Sequence, residues 1–441
     1  MSGTLYNRFM DTRFLSHNRH LEDAKHFREV DLELSQLKSF PHVYFFPVCH
    51  QFPENVPGIY FLCGAHRVGK TTALKLWIEK LLLKKITPNA IAFFSGTLIE
   101  NYHELQTILK KQIALMPTHE TIYLIVDEIT SVRGWEKGIS FLKDSGLLQR
   151  VVLMLSSPQS IHSSLSSICF HLYPLSFREV VVLKHGESEP TSQLLFEEFN
   201  HYLQHGGYLC ALNEVTQSGT LSDKTLVSYV DWFVKEIVRQ GKQERFLREI
   251  LSAVMKHYNQ PITWNKLAYE LSIDHPKTIG DYLETLASLD MVFVQSALIE
   301  RTLKAAPKKA RKLMFKDPFI FHAVHTWLSS HKKANFKAIF ENGNETSKLV
   351  ETCVITQFSR YYPVYYIHAE GKVDLAYVNQ GRFWPIQTTW SNPLHAKDLK
   401  QILKYSNGRI FTKTERSGII ENIKTEPLPL ALWRLEGVHP E

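Results

Sequence analysis

The chain has 441 residues and a formal net charge of +7, with 44% hydrophobic and 22% charged residues. This is the balance of an ordinary globular protein with room for about two to four domains. No stretch approaches the ~18 apolar residues of a membrane-spanning helix, and Met1 to Arg8 carries no apolar secretory core, so the expected location is cytoplasmic. The cysteines, Cys49, Cys63, Cys169, Cys210 and Cys353, are odd in number and lack Cys-x-x-Cys spacing, which favours reduced thiols over disulfides or zinc. The 21 histidines form no paired ladder and read as surface and loop residues rather than metal ligands.

Residues 1–50 form a polar, partly helical lead that runs into the proline-containing stretch Phe46 to Pro57. An apolar run, Gly58 to Cys63, then reads as a strand and delivers the chain to Gly64-Ala-His-Arg-Val-Gly-Lys-Thr71, a complete G-x-x-x-x-G-K-[ST] loop. Lys70 to Lys85 follows as a helix with Ala73, Leu74, Trp77, Ile78, Leu81 and Leu82 on one face. The loop pattern is short enough to arise by accident; the strand before it and the helix after it make it a phosphate-binding loop. Gly64 and Gly69 let backbone N–H groups converge on an anion at a helix N-terminus. Between them Ala65, His66, Arg67 and Val68 line the loop, with His66 and Arg67 expected to be exposed. Lys70 is spaced to reach the β- and γ-phosphates, the Thr71 hydroxyl to ligate magnesium, and Thr72 completes the nucleotide-binding set.

A strand at Ala90 to Phe94 and a helix at Tyr102 to Met116 precede Thr121-Ile-Tyr-Leu-Ile-Val-Asp-Glu-Ile129, a buried strand ending in two acids. Asp127 is placed to hold magnesium indirectly and Glu128 to act as general base on the attacking water. A helix containing Trp135 and a strand from Arg150 to Leu155 complete the run. Ser156, at the end of that strand, lies where a polar residue senses the γ-phosphate, although Ser-Ser at a strand end is equally a plain turn. Strands alternating with helices predict an α/β fold with a mostly parallel sheet covered on both faces.

The order Arg67-Val-Gly-Lys-Thr-Thr72, Val126-Asp-Glu-Ile129, Gly134-Trp-Glu136, Tyr173-Pro-Leu-Ser-Phe177 and Gly206-Gly-Tyr208 resembles the prokaryotic AAA-like P-loop ATPases. Members carry a winged helix and a C-terminal domain resembling PD-(D/E)xK nucleases. The resemblance covers most of the chain after about residue 50. It implies ATP and Mg2+ as cofactors, a helical lid near Gly206-Gly207, and coupling of nucleotide state to the C-terminal domains. Two departures stand out. The family places Gly-Arg shortly before Pro-Leu-Ser-Phe, whereas this chain has Leu165-Ser-Ser-Ile-Cys169, and the usual Thr-Gly-Ser strand ending is Met154-Leu-Ser156. An arginine finger supplies about a thousandfold or more in rate, so its absence predicts tight binding with slow turnover.

The ATPase core is expected over 51–190, closing at the linker His185 to Gln193, with the lid at 191–240. Over 241–330 short helices replace the alternation. Phe246, Ile250, Val254 and Tyr258 stripe the first, Trp264 to Leu271 forms the second behind the N-cap Thr263, and Ile279, Leu283 and Leu286 stripe the third. With the strand Met291 to Val294 they predict a winged helix whose third helix exposes Lys277, Thr278 and Asp281. The face is not notably basic, so the module suits protein interaction or domain packing as well as DNA. Beyond it Arg301, Lys304, Lys308, Lys309, Arg311, Lys312 and Lys316 form a basic wing that either neutralises nucleic-acid phosphates or is a solvated hairpin.

Residues 331–441 resemble the nuclease-like domain through Leu349-Val-Glu-Thr-Cys-Val354, Val373-Asp-Leu375 and Phe383-Trp-Pro-Ile-Gln-Thr-Thr389. Glu351 and Asp374 match the acids of that site, but Gln387 and Thr389 stand where the resemblance implies a second acid and a lysine. Phosphodiester cleavage is therefore not expected, and only Lys397 or Lys400 remains to take the lysine's role. The chain is expected to bind and hydrolyse ATP, its nucleotide state controlling the later domains. The alternative is a nucleotide-gated DNA- or protein-binding module with little turnover.

Overall fold

A computed structural model describes residues 10–158, 168–271, 273, 275–329, 340–390 and 399–435. The chain divides into two compact units, Met1–Tyr173 and Pro174–Glu441.

The first unit is built on β1 (Gly58–Cys63), β2 (Ile91–Ser95), β3 (Ile122–Asp127), β4 (Val151–Ser157) and β5 (Ile168–His171), in the order β2-β3-β4-β1-β5. All four pairings are parallel. β3 and β4 are buried along their whole length, which explains why they read as unbroken apolar runs rather than alternating ones. β5 was not anticipated, and half of its four residues are exposed at the sheet edge. Short helical turns, α1 (Phe27–Val30) and α2 (Leu32–Gln36), come from the lead; α3 (Lys70–Leu83), α4 (Tyr102–Leu115) and α5 (Trp135–Asp144) are the crossovers.

The lead is part of this unit's core. Phe14 packs edge-on against Phe94 with ring centroids 5.1 Å apart, and Met10, Phe14 and Leu21 join the apolar cluster on one sheet face. At the β2 edge the Asn18 side-chain amide donates to Phe93 O and accepts from Phe93 N, each at 2.7 Å, as a neighbouring strand's peptide would. Asp31 caps α2 through Leu34 N and forms a wholly buried ion pair with Lys75 of α3 at 2.7 Å. Lys75 also lies 4.5 Å from the Phe93 ring centroid.

The second unit opens with α6 (Phe177–His185), started by a reciprocal capping box between Ser176 and Glu179. α7 (Ser192–His205), α8 (Leu209–Ser218) and α9 (Asp223–Arg239) follow. The Gly206-Gly207 turn between α7 and α8 is a close approach of backbone to backbone: a Cβ on Gly207 would lie 2.0 Å from Leu175 O. Asp317 fastens it, accepting from Gly207 N at 2.9 Å and from Phe319 N at 2.8 Å.

Residues 244–315 comprise α10 (Glu244–Lys256), β6 (Pro261–Ile262), α11 (Trp264–Glu270), α12 (Pro276–Ser288), β7 (Val292–Ser296), a small hairpin of β8 (Leu298–Ile299) and β9 (Lys304–Ala305), and β10 (Arg311–Phe315). The sheet order is β6-β10-β7, both pairings antiparallel. Thr263 accepts from Lys266 N at 3.2 Å as the expected N-cap of α11. α13 (Pro318–Leu328) is apolar almost all round and correspondingly buried.

The last region holds α14 (Gly343–Phe358) and a mixed six-stranded sheet: β11 (Val364–His368), β12 (Lys372–Asn379), β13 (Arg382–Thr389), β14 (Arg409–Thr412), β15 (Gly418–Ile420) and β16 (Ile423–Pro427). Its order is β11-β12-β13-β14-β16-β15, followed by α15 (Leu428–Arg434). A bridge between Ala297 and Tyr366 joins it to the preceding sheet, and Tyr366 Oη donates to Ala310 O at 2.6 Å.

Candidate nucleotide site

The glycine-rich loop leaves β1 and turns directly into α3. Gly64 has φ +145°, and a Cβ there would sit 2.2 Å from Leu172 O, so the position admits no side chain. Arg67 and Gly69 also have positive φ, 60° and 107°, which turns successive N–H groups inward as an anion nest ahead of the helix. Ala65 and Val68 are buried, and Arg67 is exposed as expected. His66 is instead half-buried, and burial, followed by the charges of Lys70 and Arg67, pushes its pKa down to about 3. Lys70 is buried and its ammonium donates to Gly64 O and Ala65 O, each at 2.8 Å. Thr71 and Thr72, the first residues after it on α3, are partly exposed.

Asp127 ends β3 facing this loop. Its Oδ2 accepts from Thr71 Oγ1 at 2.6 Å, and its Oδ1 accepts from the Ser156 hydroxyl. Ser156, wholly buried at the end of β4, also accepts from Glu128 N at 2.8 Å. Loop, acid strand and next strand are thus linked through one carboxylate. Glu128 has φ +54°, a conformation that a residue with a Cβ adopts only under constraint. Part of the constraint is Gly96 after β2, where a Cβ would lie 2.4 Å from Glu128 O. Neither Gly96 nor the Lys75–Asp31 pair one turn beyond Thr71 was found from the sequence. A glycine after a strand was the one available signal for Gly96. The segment Leu165 to Ile168, where an arginine is missing, lies outside the described residues except for Ile168.

The basic wing needs correction. Arg301, Lys304, Lys308 and Lys309 are exposed, but Arg311 is half-buried with its guanidinium 5.0 Å from the Trp264 ring centroid. Lys312 is wholly buried and bonds Glu351 Oε1 at 3.0 Å, so it cannot meet a nucleic acid. Strand alternation turns it inward while Arg311 turns outward. Lys316 is half-buried and paired with Asp290.

In the last region Glu351, Asp374 and Gln387 come together, with Gln387 Nε2 2.5 Å from Asp374 Oδ2. Thr389 is partly buried at the end of β13. Lys400 is exposed and 3.7 Å from Glu370, and Lys397 lies outside the described residues. Among the described residues no group of three or more His, Cys, Asp or Glu is arranged to hold a metal, and no helix is long and apolar enough to cross a membrane.

Against known families, residues 57–181 match the AAA domain, and residues 196–331 match a family described only as a domain of unknown function. An uncharacterized protein of Haemophilus influenzae is 24% identical over 244 residues, covering 51% of this chain and 59% of that protein. The chain thus spans under two thirds of that relative's length. Among solved structures, a RuvB variant of Thermotoga maritima is 17% identical with a TM-score of 0.29, covering 65% of this chain and 92% of that one. Cdc6p from Pyrobaculum aerophilum is 13% identical with a TM-score of 0.26, covering 68% and 93%. The family match and the site geometry, rather than these distant likenesses, identify the fold. Residues 57–181 are similar to AAA domains, and with their parallel sheet and glycine-rich loop they form a P-loop NTPase fold.

Proposed function

We propose that the chain binds ATP with magnesium at Gly64 to Thr72 and hydrolyses it. The observation that carries this reading is the 2.6 Å bond between Thr71 and Asp127, which brings the loop hydroxyl and the strand-end acid to one point. Hydroxyl and carboxylate oxygens suit magnesium, and the positive-φ turn at Arg67 and Gly69, which points N–H groups into the loop, suits a phosphate. Bound magnesium would neutralise phosphate charge. The loop N–H groups and Lys70 orient the phosphates, while Ser156 acts as a positioning residue for Asp127 and for the Glu128 backbone. Glu128 takes the proton of the attacking water.

Steady-state phosphate release tests this. Glu128→Gln is expected to bind ATP with affinity close to that of the parent and to lose about a hundredfold or more in turnover; unchanged turnover removes Glu128 from the role. A second reading, a nucleotide-gated binding module with little hydrolysis, is favoured by the absence of arginine from Val151 to Phe177. Phosphate release measured with and without DNA separates the two.

Residues 244–315 we read as a winged helix whose exposed Arg301, Lys304, Lys308 and Lys309 meet nucleic-acid phosphates. The C-terminal sheet we read as a nuclease-like scaffold without cleavage, since Gln387 and Thr389 supply neither carboxylate nor ammonium. Nucleotide state would reach both along the chain, which passes from β5 through Leu172 and Tyr173 into Pro174-Leu175-Ser176.

A further inference from the structure

Two cysteines 106 positions apart in the sequence meet beside the glycine-rich loop. Cys63 ends β1 and is wholly buried, whereas Cys169 lies on the edge strand β5 and is exposed. The register pairs Phe61 with Cys169 and Cys63 with His171, so both thiols project from one face of the sheet. Their sulfurs are 2.9 Å apart. A disulfide bond is about 2.05 Å long, so a sulfur shift of under about 1 Å closes it. Sheet register rather than Cys-x-x-Cys spacing brings the pair together.

The two exposures set an order of reaction. An oxidant reaches the Cys169 sulfur from solvent, and Cys63 lies behind it as the second thiol. Elsewhere burial pushes the Cys49 thiol up to about 11 and raises that of Cys353, which keeps both from forming thiolate. The pair also abuts the loop. Leu172 N, just after β5, donates to Cys63 O at 2.8 Å, and Gly64 has no room for a Cβ against Leu172 O. A displacement of Cys63 towards β5 is therefore passed to Gly64.

We propose that Cys63 and Cys169 are a thiol–disulfide modification site that reacts with oxidised low-molecular-weight disulfides, and that closing it weakens nucleotide binding at the adjacent loop. The effect on binding rests on the ATP reading above; bond formation does not. The Cys169 thiolate attacks one sulfur of the small disulfide, forming a mixed disulfide and releasing a thiolate that takes up the Cys169 proton. Cys63 Sγ then attacks Cys169 Sγ, forms the internal S–S bond and expels the second thiolate, which takes the Cys63 proton. The two protein thiols lose two electrons and two protons, and the small disulfide gains them as two thiols. Excess thiol reverses both steps.

The test is peptide mapping of the full chain after treatment with oxidised glutathione, with the remaining thiols alkylated. The expected product is one internal bond joining Cys63 to Cys169, the chain lighter by two hydrogen atoms and restored by dithiothreitol. Cys63→Ala, lacking the second thiol, should stop at the glutathione adduct on Cys169. Calorimetry should find ATP bound about tenfold more weakly by the oxidised chain than by the reduced one, with Cys169→Ser binding equally before and after the oxidant. Glutathione left on Cys169 of the parent, no reaction at either thiol, or a bond only to another cysteine would overturn the site. Equal ATP affinity of the oxidised and reduced chains would overturn the coupling. A reduced chain that binds no ATP would overturn the nucleotide reading and the coupling with it, and the mapped bond still decides the site.

Discussion

Two acidic clusters in this chain, one at the end of β3 and one between α14 and β12, are satisfied in opposite ways. Asp127 at the end of β3 accepts from the hydroxyls of Thr71 and Ser156. Glu351 and Asp374 face the ammonium groups of Lys312 and Lys372. A hydroxyl fixes a carboxylate's direction and leaves its charge in place, so the first site keeps the charge that the proposed magnesium and its phosphates would need. An ammonium cancels the charge, so the second closes on itself. What separates a ligand site from a structural joint is therefore less the acids than the charge of their partners.

The largest effect that would sharpen this contrast is on stability. Glu351→Ala leaves Lys312 buried without its counter-ion and should cost about 3–5 kcal/mol in denaturant unfolding. Asp127→Ala strands only hydroxyls and should cost about 1–3 kcal/mol; equal losses would break the comparison. Acid should distinguish the units next. His20 is wholly buried with its pKa pushed from 6.5 to about 4, chiefly by burial. The unfolded chain takes up that proton below pH 6.5 while the folded chain does not, so stability present above pH 6.5 is lost as pH falls to 4, by about 3 kcal/mol for this group. In the second unit His205 and His322 behave alike, but Asp317, raised from 3.8 to about 6 by burial, takes its proton first when folded and gains stability as pH falls through 6. Asp374 acts in the same direction. Hydrogen exchange between pH 7 and pH 4.5 should find the first unit opening before the second; the reverse order contradicts the assignment.

Smaller effects fall on the nucleotide. Lys70→Ala should weaken ATP binding by about a hundredfold in calorimetry, or about 2.7 kcal/mol, and unchanged affinity would sink the site. Gly96→Ala presses on the Glu128 carbonyl and should slow phosphate release about tenfold with little change in binding.

The glycine loop and its acid strand were legible because backbone chemistry fixes them: only glycine tolerates the Gly64 approach, and a five-residue apolar run ending in Asp127 has few other uses. The capping residues Thr263 and Ser176 act locally, so a short window suffices; Thr263 was identified, and the box at Ser176 was available. Lys75 and Lys312 were not legible. Each is a charged residue whose burial depends on a carboxylate far away in sequence, Asp31 for one and Glu351 for the other. Periodicity reports which face a residue occupies, not whether a distant acid makes that face habitable. β5 escaped for a different reason, being four residues long and half exposed.

Asn18 mimics a strand with a single side chain, meeting both polar groups of Phe93. With His20 Nε2 3.1 Å from Ile91 O, side chains of the lead take edge groups of β2 that a further strand would pair. Asn18→Leu would leave Phe93 N and O on the edge strand Ile91 to Ser95 without that partner, the kind of exposure that native sheets avoid. The lead is thus a cover for a strand edge as much as for the core.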